Sequence, residues 1–133
     1  MASIRKEILI AAPAAEVWDA LADFNRVHER VAPGFVTGLV AEDGARVVTF
    51  SNGAVARELL VDLDPQRRRL AYAIPGGRMI AHMATVQVFE EATDHSRVVW
   101  ITDLLPDDLA GYIDSQMALA APIIQRTLGR AAD

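Results

Sequence analysis

The stretch ARVVTFSNGAVARELLVDLD, residues 45–64, decides the fold. Two runs rich in β-branched and apolar residues flank Asn52-Gly53, and Asn-Gly between such runs is one of the strongest short hairpin signals a chain can carry. The same punctuation repeats on both sides. FVTGLVAE, from Phe35, breaks at Asp43-Gly44; the run ending at Asp64 breaks at Pro65; RRLAYAI breaks at Pro75-Gly76-Gly77; RMIAHMATVQVFEE breaks near Thr93-Asp94; and SRVVWITD runs on toward Pro106. Residues 35–103 therefore read as six consecutive strands in an antiparallel meander.

Working outward, residues 3–11 (SIRKEILIA) alternate as a strand with one mostly apolar face. Pro13 suits the first turn of a helix over about 13–22, and Phe24, Val27 and Val31 recur at helical spacing over about 24–31, before Pro33-Gly34. At the other end, PDDLAGYIDSQMALAAPIIQRTLGRA places Leu109, Ile113, Met117, Ala120, Ile124 and Leu128 on one face of a long amphipathic helix. Pro122 lies inside it and predicts a bend or local break between Ala118 and Pro122, because its ring removes a hydrogen bond and crowds the preceding turn.

With 133 residues and no repeat or linker, the chain is expected to form one domain, residues 1–133. It has no cysteine, which excludes thiol chemistry and zinc-thiolate sites. A net charge of -5 disfavours nucleic-acid binding, and Arg67-Arg68-Arg69 follows acidic residues at a turn rather than forming a basic stripe. The charged start SIRKE does not suit a signal peptide and no segment is long and apolar enough to span a membrane, so a cytoplasmic location is expected.

Strand, two short helices, six-stranded meander and long helix: this order resembles the helix-grip architecture of the START and Bet v 1 superfamily. Within it, AAPAAEVWDALADFNRVHERVAPGF, FSNGAVARELLVDLDPQRRRLAY and SRVVWITDLLPDD are similar to the polyketide cyclase/dehydrase-like (SRPBCC) proteins of bacteria. The resemblance covers essentially the whole chain. It implies an α+β fold, a seven-stranded curved antiparallel sheet wrapped around the C-terminal helix, with a cavity between them. It also implies a hydrophobic or aromatic small molecule as partner, and either cofactor-free cyclase/dehydratase-like chemistry or, alternatively, a lipid or metabolite carrier or sensor without chemistry. No cofactor is implied, and the assembly is expected to be a monomer or homodimer.

Alternation assigns the residues of that cavity. His82, Ala84, Val86 and Val88 share one face of the sixth strand; Leu70, Tyr72 and Ile74, Val98, Trp100 and Thr102, and Val48 with Phe50 take the matching face of their own strands. His82 and Tyr72 are the candidate acid/base groups, His82 because imidazole titrates near neutrality. The competing reading of His82 is a histidine that hydrogen-bonds to a neighbour. Trp18 on the first helix, His28 at the rim and Met117 on the long helix complete the expected ligand contacts with Val48, Phe50, Tyr72, His82 and Trp100. Glu58 alternates away from Leu59 and Val61 and is expected at solvent or a sheet edge; facing inward it would be an acid/base candidate, since burial raises a carboxyl pKa. His95 belongs to an exposed turn. Neither the histidine spacing nor any HExxH pattern supports a metal site.

Overall fold

The computed structural model describes residues 2–77 and 79–129. Strand β1 (Ala2–Ile10) is followed by helix α1 (Ala14–Ala22), a 3-10 turn (Phe24–Arg26) and the single-turn helix α2 (Val27–Arg30). The meander comprises β2 (Val36–Glu42), β3 (Ala45–Phe50), β4 (Val55–Asp64), β5 (Arg69–Ala73), β6 (Ala81–Ala92) and β7 (His95–Leu105). A second 3-10 turn (Asp107–Leu109) leads into helix α3 (Ala110–Leu128). The expected strand start at Arg78 and the expected continuation of the last helix beyond Gly129 lie outside the described residues.

All seven strands form one antiparallel sheet in the order β1-β7-β6-β5-β4-β3-β2, so the meander runs outward from β7 and β1 returns to pair with it. Local chemistry sets the turns. Gly53 takes φ +88° and Asn52 accepts the Ala54 N–H on its side-chain oxygen at 2.9 Å, which fixes the β3–β4 hairpin. At the next turn, Asp64 Oδ1 accepts the N–H groups of Gln66 and Arg67, and Arg68 adopts φ +50°.

One face of the sheet is buried against α1 and α3. α1 contributes Ala14, Val17, Ala20 and Leu21, whereas Trp18 and Phe24 pack against this core only half-buried. α3 buries Met117, Ala120 and Ile124. The local break allowed for at Pro122 does not occur: the helix runs uninterrupted from Ala110 to Leu128. Pro122 and Ala118 are both exposed, so the carbonyl that loses its helical partner faces water and can be solvated there.

Glu58 corrects an expectation. It is buried, 5% exposed, while Val55 and Val61 of the same strand are 63% and 54% exposed. β4 thus turns much of its apolar side outward, and the rule that apolar residues point inward fails on this strand. The register confirms the orientation: Arg46 pairs with Glu58 and Val48 with Ala56 across β3–β4, putting Glu58 on the same face as buried Val48.

Candidate functional site

Between the sheet and α3 lie two adjoining chambers of about 80 and 220 Å³. The larger far exceeds the ~10–15 Å³ that a single water requires, so an organic molecule can be accommodated. The inner chamber runs beneath α1 and α2, with Val48 and Leu70 on its floor. The outer chamber is lined by His82, Ala84 and Thr102 from the sheet and by Tyr112 and Met117 from α3. Phe35, Phe50, Glu58, Tyr72 and Trp100 line both and mark the junction.

Of the residues expected from the sequence, Val48, Phe50, Tyr72, His82, Trp100 and Met117 line the chambers. Trp18 and His28 do not. Trp18 packs on the core from α1, because its spacing from Val17 and Leu21 places it at the margin of the helix's buried stripe. His28 stays half-buried on α2, its Nε2 3.3 Å from Glu29 Oε1 and its Nδ1 buried without a hydrogen bond among the described residues. His95 is exposed beside Asp94 Oδ1 at 2.9 Å. No group of three or more His, Asp or Glu among the described residues is placed to hold a metal.

His82 makes no side-chain hydrogen bond to another described residue, and partial burial lowers its pKa from the ordinary 6.5, favouring neutral imidazole. Tyr72 is 8% exposed and sits opposite Ala84 on β6. Burial pushes its phenol pKa well above the ordinary range, the Glu58 carboxylate pushes it further, and Arg46 and the Trp100 indole N–H oppose the rise. Tyr72 is therefore a protonated hydrogen-bonding group rather than a base. The Trp100 N–H lies close enough to the phenol to lower its pKa, yet Nε1 completes no well-formed hydrogen bond among the described residues.

At the junction stands an ion pair that alternation from the apolar residues missed. Arg46 Nε donates to Glu58 Oε1 at 2.7 Å, and Arg46 Nη1 donates to the backbone oxygen of Phe24 at 2.6 Å. The guanidinium lies 3.9 Å from the Phe24 ring centroid and 5.1 Å from that of Tyr72. Burial raises the Glu58 pKa, and the charge and hydrogen bond of Arg46 hold back that rise. The signal was present in residues 45–64: Arg46 shares its alternation with Val48 and Phe50, and a hairpin centred on Asn52 sets residue 46 against residue 58.

A curved antiparallel sheet gripping one long helix over an internal chamber defines the helix-grip class of proteins. The chain belongs to the family described as polyketide cyclase / dehydrase and lipid transport, whose sequence profile matches residues 1–133. Among solved structures it is similar to a Bacillus thuringiensis protein at 15% identity and TM-score 0.84, over 96% of this chain and 98% of that one. A Thermobifida fusca protein shares 28% identity at TM-score 0.77 over 98% and 95% of the two chains. Truncated norcoclaurine synthase from Thalictrum flavum shares 17% identity at TM-score 0.75, again over 98% and 95%. Among curated proteins, none matches the sequence.

Proposed function

We propose that the protein binds a hydrophobic or aromatic small molecule in the outer chamber, with the ligand reaching the junction formed by Tyr72, Trp100 and Glu58. The observation that carries this reading is the hollow itself: about 220 Å³ lined mainly by apolar and aromatic side chains, with a few convergent polar groups. The family description, which joins cyclases and dehydrases with lipid transport, is in keeping with such a ligand. Residues 1–133 act in this proposal as one domain. Native mass spectrometry of the purified chain tests it, the expected result being a non-covalent adduct released on denaturation. A chain that is empty and takes up neither aromatic nor acyl-chain compounds in titration would overturn it.

A second reading adds chemistry without a cofactor. It is favoured by His82, an imidazole lining the chamber whose neutral form burial favours and whose side chain makes no hydrogen bond to another described residue, and by the enzyme norcoclaurine synthase among the structural relatives. Here the chamber folds a flexible substrate and excludes water, His82 Nδ1 or Nε2 takes and returns a proton, and the Tyr72 hydroxyl donates a hydrogen bond to a carbonyl. Under this reading, His82→Gln lowers turnover about 100-fold to 10,000-fold while binding of an unreactive analogue is kept. Under the carrier reading, the same change alters affinity only modestly.

A further inference from the structure

Arg46 and Glu58 are the buried charged side chains among the described residues, at 4% and 5% exposure, and both line the cavity. A buried ion pair is seldom the cheapest way to fill a core, because two desolvated charges stabilise a protein little better than apolar groups of the same volume. Part of its hydrogen-bonding capacity is unused here. Arg46 employs Nε and Nη1, and Glu58 employs Oε1; Arg46 Nη2 and Glu58 Oε2 make no hydrogen bond to a described residue. The Trp100 indole N–H at the same junction is also unpartnered. Arg46 and Glu58 thus leave one donor and one acceptor free on a pair that lines the inner chamber, with Glu58 also lining the outer one, within mostly apolar walls.

We propose that the Arg46–Glu58 pair is the polar anchor of the cavity, and that it selects uncharged ring-bearing ligands carrying a hydroxyl or carbonyl over carboxylates and amines of the same shape. The proposal rests on the cavity-binding reading above. Arg46 remains a cation under all ordinary conditions, and with the Glu58 carboxylate hydrogen-bonded to it as counter-ion the anchor carries no net charge. A ligand carboxylate would meet Glu58, and a ligand ammonium would meet Arg46. A neutral hydroxyl can donate to Glu58 Oε2 or accept from Arg46 Nη2 without importing a charge that the site must neutralise. The competing account is that the pair only ties the N-terminal helices to β3 through the Phe24 carbonyl.

The test titrates the full chain with 2-naphthol, 2-methylnaphthalene and 2-naphthoate at about pH 7, where the first is neutral and the last ionised. Wild type is expected to bind 2-naphthol about tenfold more tightly than 2-methylnaphthalene, the scale of one hydrogen bond to a charged group. Glu58→Gln should shift the naphthol-to-naphthoate ratio about tenfold or more toward naphthoate, by removing the repelling charge and freeing Arg46. The double change Arg46→Met with Glu58→Leu keeps an apolar interior of similar volume. It should abolish the advantage of 2-naphthol while 2-methylnaphthalene still binds, and it decides the matter if Glu58→Gln proves too unstable to titrate. Equal binding of 2-naphthol and 2-methylnaphthalene by wild type, or ratios that the substitutions leave unmoved, would overturn the anchor and leave the cavity-binding reading standing. Failure of all three compounds to bind would remove that reading, and the anchor with it.

Discussion

His82 and Glu58 line the same chamber; burial favours the neutral imidazole at His82, whereas at Glu58 the charge and hydrogen bond of Arg46 oppose the effect of burial. For His82 the folded pKa is depressed below the ordinary 6.5, so the unfolded chain takes up a proton first as the solution is acidified. The stability due to neutral His82 is fully present above about pH 6.5 and is lost as pH falls through the lower folded value. His82→Gln cannot titrate in this range. Urea unfolding across pH steps should therefore show the wild type losing stability relative to the variant below about pH 6.5, with a constant difference above it. Parallel curves through the acid range would mean that His82 is not desolvated by the chamber. The inward face of β6 was legible because His82, Ala84, Val86 and Val88 alternate cleanly. Glu58 was misread because the exposed Val55 and Val61 imitate a core-facing pattern, and only pairing with Arg46 across the Asn52-Gly53 hairpin reveals the orientation. His28 and Trp18 were misplaced for another reason: whether a residue at the margin of a short helix reaches a cavity depends on how the helix docks, which spacing does not specify.

The elements themselves followed from local chemistry, since Gly-containing turns and period-two alternation act over a few residues and are little altered by tertiary contacts. The pairing of β1 with β7 is non-local, and no pattern within β1 specifies it. α3 shows the limit of a local rule. Pro122 forfeits one helical hydrogen bond, yet the helix continues through it, because α3 is held along Met117, Ala120 and Ile124 by the core while Pro122 faces water. The cost is still present in the folded state. Pro122→Ala restores the N–H and relieves the clash with the turn before it, and should stabilise the protein by about 1–3 kcal/mol. Chemical denaturation should show this as a higher midpoint with an unchanged slope. No gain, or a loss, would mean that the proline lowers the entropy of the unfolded chain by as much as it strains the helix.

Over the whole molecule, the hollow between sheet and helix is a feature that alternation can imply but not measure, because the volume left inside depends on how far α3 stands off the strands. Asn52 Nδ2 in the β3–β4 turn donates at 2.8 Å to the hydroxyl of Tyr112, which lines the outer chamber from the start of α3. A void of about 220 Å³ deprives its lining of packing partners, so anything that fills it and binds only the folded state should stabilise the fold. At a free concentration of 100 times its Kd, a ligand adds about 2.7 kcal/mol, which thermal unfolding registers as a raised Tm. Ala84 is 2% exposed, lies opposite Tyr72 and Thr102, and lines the chamber. Ala84→Leu should place its added methyl groups in that volume, leaving the unliganded Tm unchanged or higher instead of incurring the ~1–3 kcal/mol penalty of overpacking a filled core. The same leucine occupies the ligand's position, so the Tm increase on adding 2-naphthol to wild type should largely vanish in the variant. Persistence of the full increase in Ala84→Leu would place the bound molecule outside the outer chamber, and a large drop in the unliganded Tm would show that the space before Ala84 is filled in solution.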